Sequence, residues 1–485
     1  MHISASFYAL TLVVAGVSSQ SILDAVSPWP PGPGDVLVPQ QPDLELIQIL
    51  NKVDSNNIRA IIEKLTTFGT RHTLSSQTDP HRGIGAARDW IADELRRYAA
   101  PSNGRMVVTV PGYLQPAAPG NSIPNDTFIS NIVATLTGSK EPNRVYVVSG
   151  HYDSRVTDLS NFMDDAPGAD DDASGVAVSM ELARVMATHQ PAATIMFAVV
   201  AGEEQGLFGS NFMATTLAGQ GVDVQGMLDN DIVGSSTADD GTVDKNDIRM
   251  FVAGLPSNNT AQQNLALASI GGENDTPAHQ LGRFTAEVAP NAVSGMNGMS
   301  SKLQLEAGLL TKTDHAVRAI FRPDRFLRGG DHESFLLQGF PAVRFTEPHE
   351  NFAHQHQNTR LVNGVQFGDL IEFVDIDFTT RVAKINGATI WSLAQAPGTP
   401  KNLIIDTTVL TNNSTLRWTA DTHADAGYEV VWRESDQPLW SRVITVGKVN
   451  STTVKLSKDN VQMGVRAVGK NGFKSPAAFP SPHRG

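Results

Sequence analysis

The sequence predicts an α/β fold, with a mainly parallel mixed sheet flanked by helices, followed by a C-terminal all-β sandwich. Three observations predict it. The chain has 485 residues, more than one ordinary domain. Apolar runs alternate with amphipathic helical patterns up to residue 395, as is typical of a parallel sheet covered by helices. Short β patterns at regular spacing fill the rest of the chain.

The first predicted domain spans residues 55–395. Two amphipathic helices open it, and their apolar faces carry Ile58, Ile61, Ile62 and Leu65, then Ala87, Trp90, Ile91 and Leu95. The elements predicted after them are strands at 144–149, 194–201, 224–231 and 341–346, a helix at 175–188, and a closing helix pair at 371–394. Ligands of such sheets bind beyond the carboxyl ends of the strands, so we expect function at that edge.

The second predicted domain spans residues 396–485 and begins with a Pro/Gly linker at 396–401. Its short strand patterns lie at 403–405, 414–418, 428–433, 453–456 and 461–468, with Trp418 and Tyr428 as expected core aromatics. Residues 465–475 resemble the late strands and turn of a fibronectin type III domain. The resemblance implies a fibronectin type III-like sandwich.

The N-terminus predicts export from the cell. An apolar run from Phe7 to Val17, followed by small residues, is typical of a signal peptide spanning residues 1–19; a disordered or buried N-terminus is the alternative. Residues 20–54 are expected to form a lead-in or a propeptide. We therefore expect a secreted, extracellular protein. Candidate N-glycosylation sites begin at Asn125, Asn258, Asn274, Asn412, Asn413 and Asn450.

Composition narrows the possible partners. A net charge of −13 argues against a nucleic-acid partner, because phosphate binding needs a basic face. After the predicted signal, no apolar run reaches the ~20 residues of a membrane helix, so no membrane association is expected. The chain has no cysteine, which excludes disulfides, thiolate ligands and a cysteine nucleophile.

Four polar clusters stand at or just after the predicted strands. They are Gly-His-Tyr-Asp-Ser at 150–154, three consecutive aspartates at 170–172, Gly-Glu-Glu at 202–204, and Asp-Asn-Asp at 229–231. Each has a simpler explanation alone: a core histidine, a helix N-cap or a solvated loop. Adjacent glutamates directly after a buried strand, however, repel each other and need a compensating cation or proton. Four such clusters at one sheet edge favour a common site.

Their residue types favour a dinuclear zinc site. Imidazole and carboxylate ligands suit Zn²⁺, and two ions ~3.5–4 Å apart need a shared carboxylate between them. Metal lowers the pKa of bound water to roughly 7, which supplies a nucleophile.

The clusters resemble those of the co-catalytic zinc exopeptidases, metallopeptidase family 28, which include bacterial leucyl aminopeptidases and aminopeptidase Y. The shared motifs are Gly-His-x-Asp-Ser, Pro-Gly-Ala-Asp-Asp-x-Ala-Ser-Gly, Gly-Glu-Glu-x-Gly-Leu-x-Gly-Ser and Asp-Ile-Val-Gly. The resemblance implies a zinc exopeptidase-like sheet, two Zn²⁺ ions per subunit, and peptide or protein substrates.

The resemblance also implies a role for each residue. His151 and Asp231 would bind one zinc ion, Glu204 the other, and Asp171 would bridge both. Asp229 is the runner-up to Asp231. Glu203 would be the general base, and Asp153 would accept the second N–H of His151 and fix its tautomer.

The last ligand is a histidine for which the sequence offers two candidates. The family has an aspartate four residues after this histidine. His354 has Asn358 at that offset and His356 has Arg360, so we expect His354, with His356 as the alternative. The segment Asp331-His332-Glu333-Ser334-Phe335 resembles a family segment that we expect in the pocket wall.

The expected reaction is hydrolysis of a peptide bond by a zinc-bridged hydroxide, most commonly as an aminopeptidase within this family. Two alternatives share the scaffold. One is a single-zinc aminoacyl transferase like the glutaminyl cyclases, and the other is a non-enzymatic binding protein.

Overall fold

The computed structural model describes residues 30–117, 122–290 and 317–483. The predicted signal peptide, 1–19, lies outside them. The helices are α1 Leu44–Asn51, α2 Ser55–Thr66, α3 Ile84–Ala99, α4 Ala173–Met186, α5 Phe208–Gly219, α6 Ala261–Ala268, α7 Pro277–Val288, α8 His332–Leu337 and α9 Ile376–Gln395. Short 3-10 turns lie at Ala100–Ser102, Gly272–Asn274 and Ile371–Phe373.

The strands are numbered in the same way along the chain. They are β1 Asp35–Val36, β2 Met106–Thr109, β3 Gly112–Gln115, β4 Thr127–Ser130, β5 Ile132–Leu136, β6 Glu141–His151, β7 Ala193–Val200, β8 Asp223–Asn230, β9 Ile248–Val252, β10 Val317–Ile320, β11 Ala342–Thr346, β12 Arg360–Val362, β13 Val365–Phe367, β14 Lys401–Asp406, β15 Ser414–Thr419, β16 Gly427–Glu434, β17 Arg442–Gly447, β18 Ser451–Val454, β19 Val461–Val468 and β20 Ser481–His483.

An eight-stranded mixed sheet forms the centre of the first domain, in the order β10-β9-β11-β8-β6-β7-β5-β2. The β11-β8-β6-β7 core is parallel, and antiparallel pairs flank it at β9-β11, β7-β5 and β5-β2. This confirms the predicted mixed α/β sheet flanked by helices. Strands β6 and β7 read as continuous apolar runs because both of their faces are covered.

The helices bury the sheet on both sides. Helix α4 is buried along nearly its whole length, and α9 buries Trp391 completely. Alanine, valine and methionine predominate in α4 because it lies between the sheet and the helices α2, α3 and α9.

The parallel register brings the ends of four strands to one edge. His151 pairs with Val200 across β6 and β7, and Ser149 pairs with Asp229 across β6 and β8. Strand β11 ends at Thr346, beside β8. The segments that follow these strands therefore emerge side by side, as the sequence predicted.

The C-terminal strands form two four-stranded sheets, β1-β17-β16-β19 and β18-β15-β14-β20. Leu416 and Trp418 of one sheet and Val430, Trp432 and Val465 of the other share one buried core. The predicted sandwich is therefore present, and its fibronectin type III character stays a prediction.

The structure differs from the sequence prediction at two places. The expected helix pair at 371–394 is a 3-10 turn followed by a single helix, because the Asp375 side chain accepts the N–H of Phe378 and starts α9 at residue 376. The first domain also begins before residue 55. Helix α1, Leu44–Asn51, buries Leu46, Ile49 and Leu50 in the main core, so this part of the expected lead-in or propeptide, 20–54, packs with the domain, while residues 20–29 lie outside the described residues.

Among the described residues, no helix has both the length and the apolar character that crossing a bilayer requires.

Candidate metal centre

Three consecutive aspartates precede α4, and each has a different function. Asp172 is the N-cap: its carboxylate accepts the N–H of Gly175 at 3.0 Å and the N–H of His151 at 2.9 Å. Asp170 accepts the N–H of Gly234 at 2.6 Å, which fixes the loop after β8. Only Asp171 directs its carboxylate to the neighbouring histidines. The helix-cap interpretation is therefore correct for Asp172 and wrong for Asp171.

His151 ends β6 and is 1% exposed. Its Nε2 lies 3.1 Å from Asp171 Oδ1 and 3.9 Å from Asp231 Oδ1. Its Nδ1 lies 3.1 Å from the backbone oxygen of Asp153 and 3.6 Å from Oδ1 of the same residue. The predicted support from Asp153 thus comes mainly through its carbonyl, while Nε2 faces the carboxylates. Burial lowers the pKa of His151, but the Asp153 and Asp171 carboxylates raise it more, well above the usual value.

Glu203 and Glu204 follow β7 in a tight turn that Gly202 begins at φ 71°. Asp153 orients this turn, because its carboxylate accepts the N–H groups of Glu203 at 3.3 Å and Glu204 at 3.1 Å. Asp153 is completely buried. Its carboxylate therefore positions the two glutamates, a role that the sequence did not suggest.

Glu203 and Glu204 have different surroundings. Burial raises the pKa of Glu203 well above its usual value, and the negative charges of Asp231 and Glu204 act in the same direction. Glu204 Oε2 accepts a hydrogen bond from Arg155 Nε at 2.7 Å. Glu204 Oε1 is buried without a hydrogen-bond partner, although His356 Nε2 is 3.1 Å away.

Asp231 lies in the cluster and Asp229 behind it. Asp231 Oδ2 is 2.9 Å from Arg344 Nη2, and Arg344 is fully buried. Asp229 instead accepts the N–H of His332 at 3.2 Å. Burial lowers the pKa of His332, but the Asp229 carboxylate raises it overall to about 9. The choice of Asp231 over Asp229 agrees with this geometry.

The structure places His356, the alternative, beside the carboxylates in place of His354, the expected last ligand. His356 Nε2 lies 2.8 Å from Asp171 Oδ2 and 3.1 Å from Glu204 Oε1. The His354 ring instead stacks on Phe373, with ring centroids 3.6 Å apart and an interplanar angle of 10°. Asn358, expected to support His354, donates to Asp164 Oδ2 at 3.2 Å. The local loop conformation, with His356 at φ 56°, turns this histidine inward.

Two triads of ligand atoms result, and they share one carboxylate. His151, Asp171 and Asp231 form the first, and Asp171, Glu204 and His356 form the second. Within each triad the ligand atoms lie within 4.8 Å of one another. Two imidazoles and three carboxylates suit Zn²⁺. A bound cation would also compensate the buried Glu204 Oε1, which has no hydrogen-bond partner among the described residues. The residues therefore fit a pair of zinc ions.

An open pocket of about 420 Å³ borders these triads and holds Glu203 as well. Its other walls include Arg325, Arg328, Glu333 and Gln355. The sequence did not predict the roles of Arg325, Arg328, Gln355, Arg155 and Arg344. Four of them lie in irregular loops and Arg344 lies within β11, and a single polar residue in such a place forms no pattern that indicates its partner.

Comparison with known proteins identifies the family. Residues 131–362 match the description "Peptidase family M28". A "Probable zinc metalloprotease" of Pyrenophora teres f. teres is 54% identical over 481 residues, covering 98% of this chain and 94% of the relative. The chain belongs to peptidase family M28. The family expected from the motifs is thereby confirmed.

Other M28 relatives match along most of their length. A "Probable zinc metalloprotease" of Leptosphaeria maculans is 54% identical, and the match covers 92% of this M28 chain and 99% of the length of that relative. Among solved structures, the LapA aminopeptidase of Legionella pneumophila shares 18% identity, with a TM-score of 0.47, over 74% of this chain and 77% of its own. A TM-score and an identity this low do not support an inference about function.

Proposed function

We propose that this M28 protein is a zinc metallopeptidase that holds two ions and cleaves amino acids from the N-terminus of peptides. The observation that carries the proposal is the pair of triads that share Asp171, beside the buried carboxylate of Glu203. The relatives named as zinc metalloproteases support it. His151 and Asp231 would hold one ion, Glu204 and His356 the other, and Asp171 both.

The ions, when bound, supply Lewis acidity that polarises the scissile carbonyl and lowers the pKa of water. Glu203 takes the proton of the attacking water and returns it to the leaving amine. Its burial suits this exchange, because a raised pKa makes the Glu203 carboxylate a stronger base towards the proton of water. Asp153 keeps Glu203 in place through the backbone N–H groups of the turn.

Recognition of an N-terminus needs an anionic group near the cluster. Glu333 of α8 lines the pocket, and among the described residues it has neither an ion pair nor a side-chain hydrogen bond. A carboxylate in that position can bind a substrate ammonium group. Glu333 therefore supports aminopeptidase polarity.

Metal analysis and a peptide ladder test the proposal. Purified protein should contain zinc at a ratio near two and shorten a peptide from its N-terminus one residue at a time, as read by mass spectrometry. Glu203→Ala should bind zinc normally and lose turnover by about 10²–10⁴-fold. Normal turnover in that variant would remove Glu203 from its role.

The two alternative functions give different results in the same experiment. A single-zinc aminoacyl transferase would hold one ion per chain and cyclise N-terminal glutamine without shortening the ladder. A binding protein would hold zinc and change no peptide.

We also propose that the protein is secreted and glycosylated, with a fibronectin type III-like C-terminal domain. The apolar run at 7–17 supports export. All six sequon asparagines are exposed, as attached glycans require. A mass shift on treatment of the secreted protein with a glycan-removing enzyme tests secretion and glycosylation.

A further inference from the structure

One wall of the pocket beside the triads is rich in arginine. Glu350 accepts hydrogen bonds from three guanidinium groups: Arg249 at 3.0 Å, Arg325 at 3.1 Å and Arg328 at 2.7 Å. We call Arg325, Arg328 and Glu350 the arginine wall. Two of the three guanidinium groups, Arg325 and Arg328, line the pocket and share this one carboxylate.

The ion pairs around Glu350 contain more guanidinium groups than carboxylates, while the carboxylate of Glu333, unpaired among the described residues, lines the same pocket. Arg344, a fourth guanidinium group, pairs with Asp324 at 2.8 Å and Asp231 at 2.9 Å. Asp324 is also the partner of Arg325. The four arginines therefore share three carboxylates, and one of these, Asp231, belongs to the metal triad as well.

Arg328 is the member of the wall that reaches the open pocket. A third of its side chain is exposed, against 10% for Arg325. Its Nη1 donates to Glu350, and with the Gln355 amide in its hydrogen-bonded orientation, Nη2 donates to Gln355 at 2.7 Å. In the same orientation the Gln355 amide nitrogen donates to Glu350 Oε2 at 3.1 Å. One glutamine side chain thus holds Arg328 and Glu350 together.

The loop that carries these arginines is fixed from behind. Asp324 is 5% exposed and binds the buried Arg344 through both oxygens, at 2.8 and 3.0 Å. The Pro323 carbonyl is 2.9 Å from His332 Nε2. A charged side chain on a rigid loop loses little conformational entropy when it binds a ligand.

We propose that Arg328, supported by Arg325, is a specificity residue that binds a carboxylate of the peptide close to the scissile bond. This deepens the proposed peptidase function and rests on it. A guanidinium group pairs with a carboxylate through two parallel hydrogen bonds. The carboxylate has two possible sources, the free C-terminus of a short peptide or an acidic side chain.

Matched substrate pairs distinguish the two sources. The pairs are Leu-Ala against its amide, Leu-Glu-amide against Leu-Gln-amide, and Glu-Ala-amide against Gln-Ala-amide. The charged member of at least one pair should have a kcat/KM about tenfold higher or more, as a charge-assisted hydrogen bond predicts. The first pair reports the C-terminus, and the other two report a side chain on either side of the scissile bond.

Variants then assign the preference to Arg328. Arg328→Gln should bring the ratio of kcat/KM between charged and neutral substrates close to one. Arg328→Lys should retain part of the preference, because lysine keeps the charge but lacks the two parallel N–H donors of a guanidinium group. Arg417→Gln is the matched control, since Arg417 forms an exposed ion pair with Asp406 in the C-terminal domain. Raising the salt from about 0.05 to 0.5 M should reduce the ratio. Ratios near one in all three wild-type pairs, or a ratio that survives Arg328→Gln, would overturn the proposal.

A binding measurement separates this proposal from the peptidase function. The same pairs are titrated by calorimetry into zinc-loaded Glu203→Gln protein, in which turnover is suppressed. Binding about tenfold tighter for the charged member, abolished by Arg328→Gln, supports the subsite even if the wild type hydrolyses no peptide. Equal binding of both members contradicts it even if hydrolysis occurs.

Discussion

Neighbouring residues of the candidate site differ in function because each carboxylate meets a different set of donors. Asp170 accepts the backbone N–H of Gly234 in the loop after β8, and Asp172 accepts that of His151 at the end of β6, while Asp171 faces His151 and His356. Asp369 completes the arrangement by accepting the N–H groups of Asp170 and Asp171, both at 2.8 Å. A carboxylate occupied by N–H donors is less available to a cation, which is why one aspartate of three is suited to bridging.

The sequence indicated most of this site but not all of it. His151, Asp171, Glu203, Glu204 and Asp231 follow strands or precede a helix, and the sheet brings such positions together. His354 and His356 lie in an irregular loop, where no periodicity tells which side chain turns inward. The partners of Arg155 and Arg344 are likewise set by tertiary contacts alone.

Removing either histidine tests the correction. His356→Ala should lower zinc affinity by at least about tenfold and reduce the bound metal, because it removes a nitrogen from the second triad. His354→Ala is the matched control and should keep its zinc, since that ring only stacks on Phe373. Zinc content after dialysis against a chelator measures both. Metal loss in the His354 variant alone would restore the original expectation.

A buried histidine far from the site should make stability depend on pH. His279 of α7 is 2% exposed, and burial, assisted by the charge of Arg283, lowers its pKa from 6.5 to about 4. Between pH 6.5 and 4 the unfolded chain binds a proton that the folded chain does not. The contribution of this group to stability is therefore complete above pH 6.5 and is lost as the pH falls to about 4.

The free energy of unfolding should fall by on the order of 3 kcal/mol as His279 becomes protonated. In denaturant titrations, His279→Leu should lose less stability than the wild type across this pH range. His81→Leu, at an exposed loop position, serves as the control. Identical pH dependence in wild type and His279→Leu would contradict the prediction.

At the scale of elements, α4 packs so close to the ends of β6 and β8 that the contact positions have no room for a side chain. A Cβ atom at Gly175 would lie 2.0 Å from the carbonyl oxygen of Asn230, and one at Gly150 would lie 2.4 Å from the backbone of Gly175. Two glycines therefore allow the helix to bring Asp171 and Asp172 against β6 and β8. The motif Ala-Ser-Gly is in this sense a packing requirement of the metal centre.

Gly175→Ala should destabilise the fold by about 3 kcal/mol or more, because the backbone of β8 would have to move. Gly219→Ala provides the comparison, since Gly219 also lies in a helix but has nothing within 4 Å of the added atom. That variant should be unchanged or more stable by up to about 1 kcal/mol. Thermal unfolding of the two proteins measures the difference, and equal midpoints would refute the packing argument.

Strands with an apolar or alternating pattern of their own were predictable from sequence, and a strand defined only by its partner was not. Strands β6, β7, β8 and the five-residue β11 were expected within a few residues of their observed bounds. Strand β1 has two residues and exists only because β17 offers an edge to pair with. No local pattern encodes such a partner.

At the scale of the whole molecule, buried charges join the two domains. Asp275, before α7, binds Arg283 of the same domain at 3.1 Å and Arg433 of the C-terminal domain at 2.7 Å. All three side chains are nearly inaccessible to solvent. Trp440 Nε1 donates to Gln280 nearby, at 3.1 Å. An interface of this kind fixes the orientation of the domains, because separating them would expose paired charges and aromatic surface together.

Arg433→Ala should lower the free energy of unfolding by about 3 kcal/mol or more, because the buried Asp275 carboxylate would lose one of its two guanidinium partners. Arg417→Ala removes an exposed ion pair with Asp406 and should cost less than about 1 kcal/mol. Calorimetric melting of both variants compares them. Similar losses would mean that the domains associate by other contacts.

The N-terminal segment connects the domains a second time. Strand β1 pairs with β17, the backbone oxygen of Pro33 accepts the indole N–H of Trp432, and α1 then enters the core of the first domain. Val36 and its partner Arg442 are separated by some 400 positions of sequence. During synthesis the ribosome must therefore produce almost the entire polypeptide before this strand can find its place. A protease that cut the chain between β1 and α1 would release the sandwich from one of its two covalent tethers.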